Sequence, residues 1–298
     1  MRGRLAFLLL TAFGANGIAH SSDRIGPSHA CKSGADWNEP AAPRRIFGNA
    51  WFVGTCGISS VLVTSGQGHF LLDGTTEKAA PLIEANIARL GFRVADVRYI
   101  VNSHAHLDHA GGIARLQKDS GATVIARGAD ASALERGHGD HSDPQFVSAK
   151  PFPAVAHVRP VADGETLTIG DTTSTAHATS GHTPGSTSWT WDACEAQHCA
   201  HVVYADSLAP VSDDDYRYTD DAAHAGVLAD FRTSIARVAA LPCDLLLTPH
   251  PDASHMWERF GTSAPYAAID ATACRRYAQA AQANLDKRIA KEQLGRAQ

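Results

Sequence analysis

The sequence predicts an α/β protein built as an αβ/βα four-layer sandwich: two facing mixed sheets with helices on their outer sides. Three observations predict it. Short apolar, β-branched runs suited to buried strands alternate with runs of helical period. The strand-strand-helix order of the first half starts again at Val158 without obvious sequence repetition. No linker separates the halves, so each is expected to cover the other.

Composition sets the bounds. A chain of 298 residues can bury a substantial core. Its 44% hydrophobic and 19% charged residues are ordinary for a soluble globular enzyme. A formal net charge of −5 gives no reason to expect a nucleic-acid partner. No apolar run beyond the extreme N-terminus reaches bilayer length. No exposed apolar helix asks for a protein partner, so a monomer is expected.

Taken in order, the chain opens as a secretory signal. Arg2 and Arg4 form a basic region, Leu5 to Phe13 an apolar stretch too short to span, and Gly17-Ile18-Ala19 a small-residue cleavage site. Residues 1–19 are read as a signal peptide, with cleavage after Ala19 or as late as Ser21. The exported chain is then periplasmic and free of the membrane. The mature chain, 22–298, reads as one domain with an irregular, proline-containing arm at 22–45. Trp37 in this arm and Trp51 beyond it are apolar anchors.

Ile46–Val53 and Ile58–Val63 read as strands around Gly54 to Gly57, and Phe70–Leu72 as a third ending at Asp73-Gly74. Asp73, at a strand end, is placed to steady a ligand from behind. Glu77–Leu90 has a helical apolar face capped by Gly91. The strand Val97–Val101 then delivers Asn-Ser-His-Ala-His-Leu-Asp-His-Ala-Gly-Gly. His104, His106, Asp108 and His109 are four metal-capable side chains within six positions. On extended backbone 104, 106 and 108 share a side, and His109 joins Asp108 only if the chain bends there. The spacing suggests two adjacent sites. Imidazole and carboxylate without thiolate suit zinc, with iron and manganese as alternatives. Gly111 and Gly112 are expected to let the chain turn into a helix at Ile113–Lys118.

Thr123–Ala126 reads as a strand and 128–153 as a long loop of little periodicity, whose His138 and His141 are taken as solvated. Gln145 and Phe146 in it are placed to reach a substrate. Thr166–Ile169 and Thr172–Ala178 are strands, and His177 belongs to the second as a core or edge residue. Ser180-Gly-His-Thr-Pro-Gly-Ser186 follows, putting His182 at a strand end where it completes the site of His104 and His106. Trp189–Trp191 and Val202–Ala205 are strands, 212–224 an acidic loop, and Gly226–Leu241 a helix. Leu245–Leu247 is a strand leading to His250, a candidate to join Asp108 and His109, with His255 as the alternative. Ala271–Leu294 closes the chain as a helix.

In an exported chain the six cysteines can pair, and sequence alone does not choose the pairing. Cys194 and Cys199 bracket a short turn. Cys243, before a strand, and Cys274, in the last helix, would tie that helix to the core. Cys31 and Cys56 remain, clipping the arm. No Cys-x-x-Cys is present to suggest a thiolate metal site.

The His-x-His-x-Asp-His run, the Gly-His-Thr-Pro-Gly loop and Asp206-Ser207-Leu208-Ala209 together resemble the metallo-β-lactamase superfamily. Ser207 stands where two β-lactamase subclasses carry a ligand cysteine, which resembles the class B enzymes of subclass 3. The three apparent disulfides resemble one branch of that subclass. The resemblance extends to Trp-Asn-Glu-Pro at 37–40, Gly-Thr-Cys-Gly-Ile-Ser at 54–59 and Ser-Asp-Asp-Asp at 212–215. It implies two Zn2+ ions, one on His104, His106 and His182, the other on Asp108, His109 and His250. It implies hydrolysis of the β-lactam ring of penicillins, cephalosporins and carbapenems, and so antibiotic resistance. Zinc lowers the pKa of bound water from about 15.7 toward about 7, so a metal-bound hydroxide attacks, oriented by Asp108, and no serine nucleophile is needed. Ser207 and Gln145 are the expected substrate contacts. Ala209 departs from the subclass, whose members commonly carry a hydroxyl there near the substrate carboxylate. The alternative within the superfamily is an exported dizinc thioesterase or lactonase with Asp206 as the bridging ligand.

Overall fold

The computed structural model describes residues 30–260 and 269–294. The signal at 1–19, its cleavage as late as Ser21 and the first part of the arm lie outside the described residues.

Among the described residues twelve strands form two sheets. The first has seven: β1 Arg44–Phe47, β2 Ala50–Phe52, β3 Val61–Ser65, β4 Gly68–Leu72, β5 Val97–Val101, β6 Thr123–Arg127 and β7 Val158–Val161, neighbours in that order. β1 to β4 pair antiparallel, and β4 to β7 run parallel. The second has five, ordered β12-β11-β10-β9-β8: β8 Thr166–Ile169, β9 Thr172–Ala178, β10 Thr187–Glu195, β11 His198–Tyr204 and β12 Leu245–Leu247. Only β11 and β12 are parallel in it. Among the described residues the helices are α1 Ala80–Arg89, α2 Leu107–Ala110, α3 Ile113–Ser120, α4 Gly128–Arg136, α5 Val227–Ala240, α6 Met256–Phe260 and α7 Ala273–Leu294.

The period of two in the strands builds the layers. Val61 and Val63, Phe70 and Leu72, Val202 and Tyr204, and Leu245 and Leu247 all enter one core, which the two sheets enclose together with Trp189 and Trp191. The intervening Leu62 and Leu71 face outward into a second core with Ile83 and Ile87 of α1, Ile113 and Leu116 of α3, and Leu134 of α4. Val203 and Leu246 face into a third with Phe231 and Ile235 of α5 and Leu285 of α7. Strands buried on both faces read as continuous apolar runs, and the expected sandwich is what they form.

Four expectations of local structure change. Ile46–Val53 is the hairpin of β1 and β2, turning at Gly48 (φ 53°) and Asn49. Alternation continues unbroken through so short a turn, which hides it, although Gly-Asn is a hairpin signal. The strand expected from Ile58 begins only at Val61. The loop expected at 128–153 opens with α4, whose buried face is largely alanine and so carries little apolar period. Val158–Val161 does not begin the second half: it pairs parallel with β6 and completes the first sheet. No helix among the described residues is long and apolar enough to cross a membrane.

Candidate metal centre

The site forms where the loops after β5, β9, β11 and β12 meet. β5 stops at Val101, and Asp73 secures the chain that follows. Its Oδ1 accepts from the Asn102 amide at 3.0 Å and the Ser103 N–H at 2.7 Å. Its Oδ2 accepts from the Ser103 hydroxyl at 2.6 Å and the Tyr204 hydroxyl at 2.7 Å. Burial pushes the Asp73 carboxyl up to about 6. Asp73 thus holds the two residues before His104, and no hydrogen bond joins it to a histidine ring. His106 keeps an extended backbone, and α2 winds immediately after it. This is the bend that brings His109 beside Asp108. Gly111 and Gly112 serve close approach here rather than a tight turn. A Cβ on Gly112 would lie 2.2 Å from the Gly74 carbonyl oxygen, and one on Gly111 2.7 Å from the Glu77 nitrogen.

Two groups of donors result: His104, His106 and His182, and Asp108, His109 and His250, the ligand atoms of each lying within 4.8 Å of one another. Each group draws on both sheets, with His182 following β9 and His250 following β12. In the first group every ring has one nitrogen tied down. His104 Nδ1–H donates to Asp206 Oδ1 at 2.7 Å, His106 Nε2–H to Asp143 Oδ2 at 3.0 Å, and His182 Nδ1–H to the Ala209 carbonyl at 2.9 Å. A carboxylate or carbonyl can only accept, so these bonds fix the tautomers. The lone pairs left over, on His104 Nε2, His106 Nδ1 and His182 Nε2, belong to the inward side of the group. His104 Nε2 is buried without a partner, and a metal ion would satisfy it. In the second group His109 Nε2, His250 Nε2 and Asp108 Oδ2 are 3.1 to 3.3 Å apart.

Electrostatics suits a cation. Burial holds His104 and His182 well below their ordinary range and His250 down to about 4, keeping these rings neutral, the form that coordinates. Burial works to raise the Asp108 carboxyl, but His109 and His250 hold it well below the carboxylate range. For His106 burial is outweighed by Asp143, and the net shift is upward. The donor set is nitrogen and carboxylate oxygen without sulfur, and it fits zinc.

Asp206 lies outside both donor groups. It is fully buried, sits behind His104, and carries a carboxyl raised by burial. Ser207, Ala209, Gln145 and Trp37 line the cavity over the two groups, about 710 Å³ in volume. Gln145 Nε2 comes within 3.5 Å of His182 Nε2. Phe146 packs on His141, with ring centroids 4.2 Å apart. His138, His141 and His255 are exposed, and His177 bonds Thr190 between β9 and β10 at 2.8 Å. The arm crosses the mouth. Cys31–Cys56 ties it down, the Gly34 N–H reaches Asp252 at 2.7 Å, and Trp37 sits over His250 with ring centroids 6.4 Å apart. Cys194–Cys199 and Cys243–Cys274 are also bonded. Sequence reasoning missed Asp143 and the Ala209 carbonyl as partners of the histidines, and missed Asp130. No signal in the sequence marks Asp130, because both the helix that carries it and its burial are visible only in the fold.

The comparisons agree with this geometry. A family model, the metallo-β-lactamase superfamily, matches residues 53–252. A metal-dependent hydrolase of Staphylococcus aureus (strain JH9), of the UPF0173 group, is 38% identical over 77 residues, 25% of this chain and 34% of that protein. The chain thus spans about a third of the length of the curated relatives it matches. Solved structures match far more. MIM-1, a metallo-β-lactamase from Novosphingobium pentaromativorans, is 47% identical with a TM-score of 0.85, over 90% of this chain and 98% of that one. MEM-A1, a subclass B3 metallo-β-lactamase from a soil metagenome library, is 45% identical with a TM-score of 0.85, over 87% of this chain and 100% of that one. Fold, donor groups and relatives together place the chain in the metallo-β-lactamase superfamily, among the enzymes of subclass B3.

Proposed function

We propose that the protein is an exported zinc hydrolase that opens the β-lactam ring of penicillins, cephalosporins and carbapenems and so confers resistance to them. The observation that carries this is the pair of three-donor groups side by side under one cavity, the three histidines of the first group each steadied from behind. His104, His106 and His182 would hold one Zn2+, and Asp108, His109 and His250 a second. Zinc there supplies Lewis acidity and a water of lowered pKa. Asp108, kept ionised at the cavity floor, orients the attacking water. Ser207 and Gln145 line the wall and bind the substrate, Ser207 at its carboxylate. The missing hydroxyl at Ala209 removes a hydrogen bond to that carboxylate worth roughly 1.5–3 kcal/mol, unless another group supplies it. Trp37 gives the opposite side an apolar surface.

The signal at 1–19 and three disulfides support export to the periplasm, with the mature chain, 22–298, acting as a monomeric single domain. No observation favours the thioesterase or lactonase reading, since Asp206, its bridging ligand, is engaged with the back of His104.

The test is carbapenem ring opening followed by absorbance, with and without a zinc chelator. Turnover abolished by the chelator and restored by Zn2+ is expected, and Asp108→Ala should lower it by more than about a hundredfold, beyond what loss of a supporting residue costs. No turnover of any β-lactam by zinc-loaded protein would sink the proposal.

A further inference from the structure

The start of α4 lies between the two loops that carry the first group of histidines. Asp130, the third residue of α4, is buried, and its carboxylate accepts three hydrogen bonds. Oδ2 takes the Ala105 N–H at 3.0 Å and the Thr183 hydroxyl at 2.9 Å, and Oδ1 takes the Gly185 N–H at 3.0 Å. Ala105 lies between His104 and His106, and Thr183 follows His182. A Cβ on Gly185 would be 2.4 Å from the Asp130 carboxyl carbon, so that loop has closed hard onto the carboxylate. Arg127, just before α4, grips the same loop through the Ser180 hydroxyl and the Ser186 carbonyl, both at 3.1 Å. Farther along, the Thr187 N–H donates to the Ser103 carbonyl at 2.8 Å. Asp206, Asp143 and the Ala209 carbonyl each steady one ring. Asp130 instead joins the backbone of one loop to that of the other.

We propose that Asp130 is a positioning residue that sets the span between the His104–His106 loop and His182, and through it the metal affinity of the first group alone. It acts through the loops and reaches no substrate atom. The proposal rests on the reading of the six side chains as metal ligands. An ionised carboxylate can accept from both loops at once, whereas the amide of Asn presents one oxygen and one N–H donor. Asp130→Asn must therefore oppose donor to donor on one side, at nearly unchanged volume.

The experiment titrates metal-free protein with Zn2+ against a chromophoric chelator and records the melting temperature of the metal-free form. Wild type should bind two equivalents. In Asp130→Asn one equivalent should keep its affinity while the other weakens by about 10–100-fold, with kcat lowered more than KM is changed. Equal weakening of both equivalents alongside a lowered melting temperature would assign Asp130 to general structure and overturn the proposal, as would wild-type affinity at both. Thr183→Val, which removes one of the three bonds, covers the case in which Asp130→Asn does not fold. A smaller loss confined to one equivalent supports the proposal, and unchanged binding overturns it. Fewer than two equivalents in wild type would overturn this proposal and the ligand assignment together. Two equivalents without β-lactam turnover would overturn only the substrate assignment, and Asp130 would still be decided by the titration.

Discussion

A histidine offers its metal one particular nitrogen only when something holds the other. Here the holders are two carboxylates and a carbonyl, Asp206, Asp143 and Ala209. Asp73 works one step further back, on the backbone of 102–103, and its burial has a titration consequence. Its folded pKa, about 6, stands above the unfolded value of 3.8, so the native state holds a proton that the unfolded chain releases first. Its contribution to stability is greatest below about pH 4 and falls as pH rises through about 6, by roughly 3 kcal/mol. Urea denaturation of metal-free protein should therefore show the margin of wild type over Asp73→Asn shrinking across that window. A constant margin would mean that Asp73 is ionised throughout. At this scale the four donors at 104–109 stood out because their types crowd into one short motif, whereas His182 and His250 were singled out through the resemblance; the fold brings all six together in two groups. Asp143 and Asp130 were not legible: they stand 37 and 25 residues from their partners, His106 and Ala105, and no spacing rule joins them.

Elements with a strong period were legible within a few residues, as with β8, β9, α5 and α7. Those whose signal is a short turn or a face of small residues, the β1–β2 hairpin and α4, were not. The cysteine pairing was only partly legible: Cys194 and Cys199 bracket a turn and Cys243 and Cys274 flank packed elements, while Cys31 and Cys56 were simply the two left over. Cys243–Cys274 closes a separation of 31 residues and fastens α7 beside β12. Loop closure of that length stabilises by about 3–4 kcal/mol in the chain-entropy account. Replacing both cysteines by alanine should lower the free energy of unfolding by about that amount and leave zinc stoichiometry intact. Loss of zinc along with stability would show that α7 also shapes the donor groups.

Across the whole molecule, the sandwich was legible because strands buried on both faces need cover on both. The sequence did not show where the first sheet ends, since β7 follows a helix of weak period. Each donor group takes ligands from both sheets, so a bound ion fastens one sheet to the other. At a free Zn2+ concentration about a thousandfold above Kd, one ion adds about 4 kcal/mol, which in a chain this long is a rise of roughly 10 °C in melting temperature. Calorimetry with and without chelator checks this, and coincident transitions would show that the native donor groups hold no ion tightly. The arm adds something different. Cys31–Cys56 moors a segment whose Trp37 and Asn38 form one wall of the cavity, while among its described residues none belongs to either donor group. Replacing Cys31 and Cys56 together by alanine would unhook the wall and spare the reactive floor. The breadth of substrates admitted would then change, while the chemistry performed on them would not.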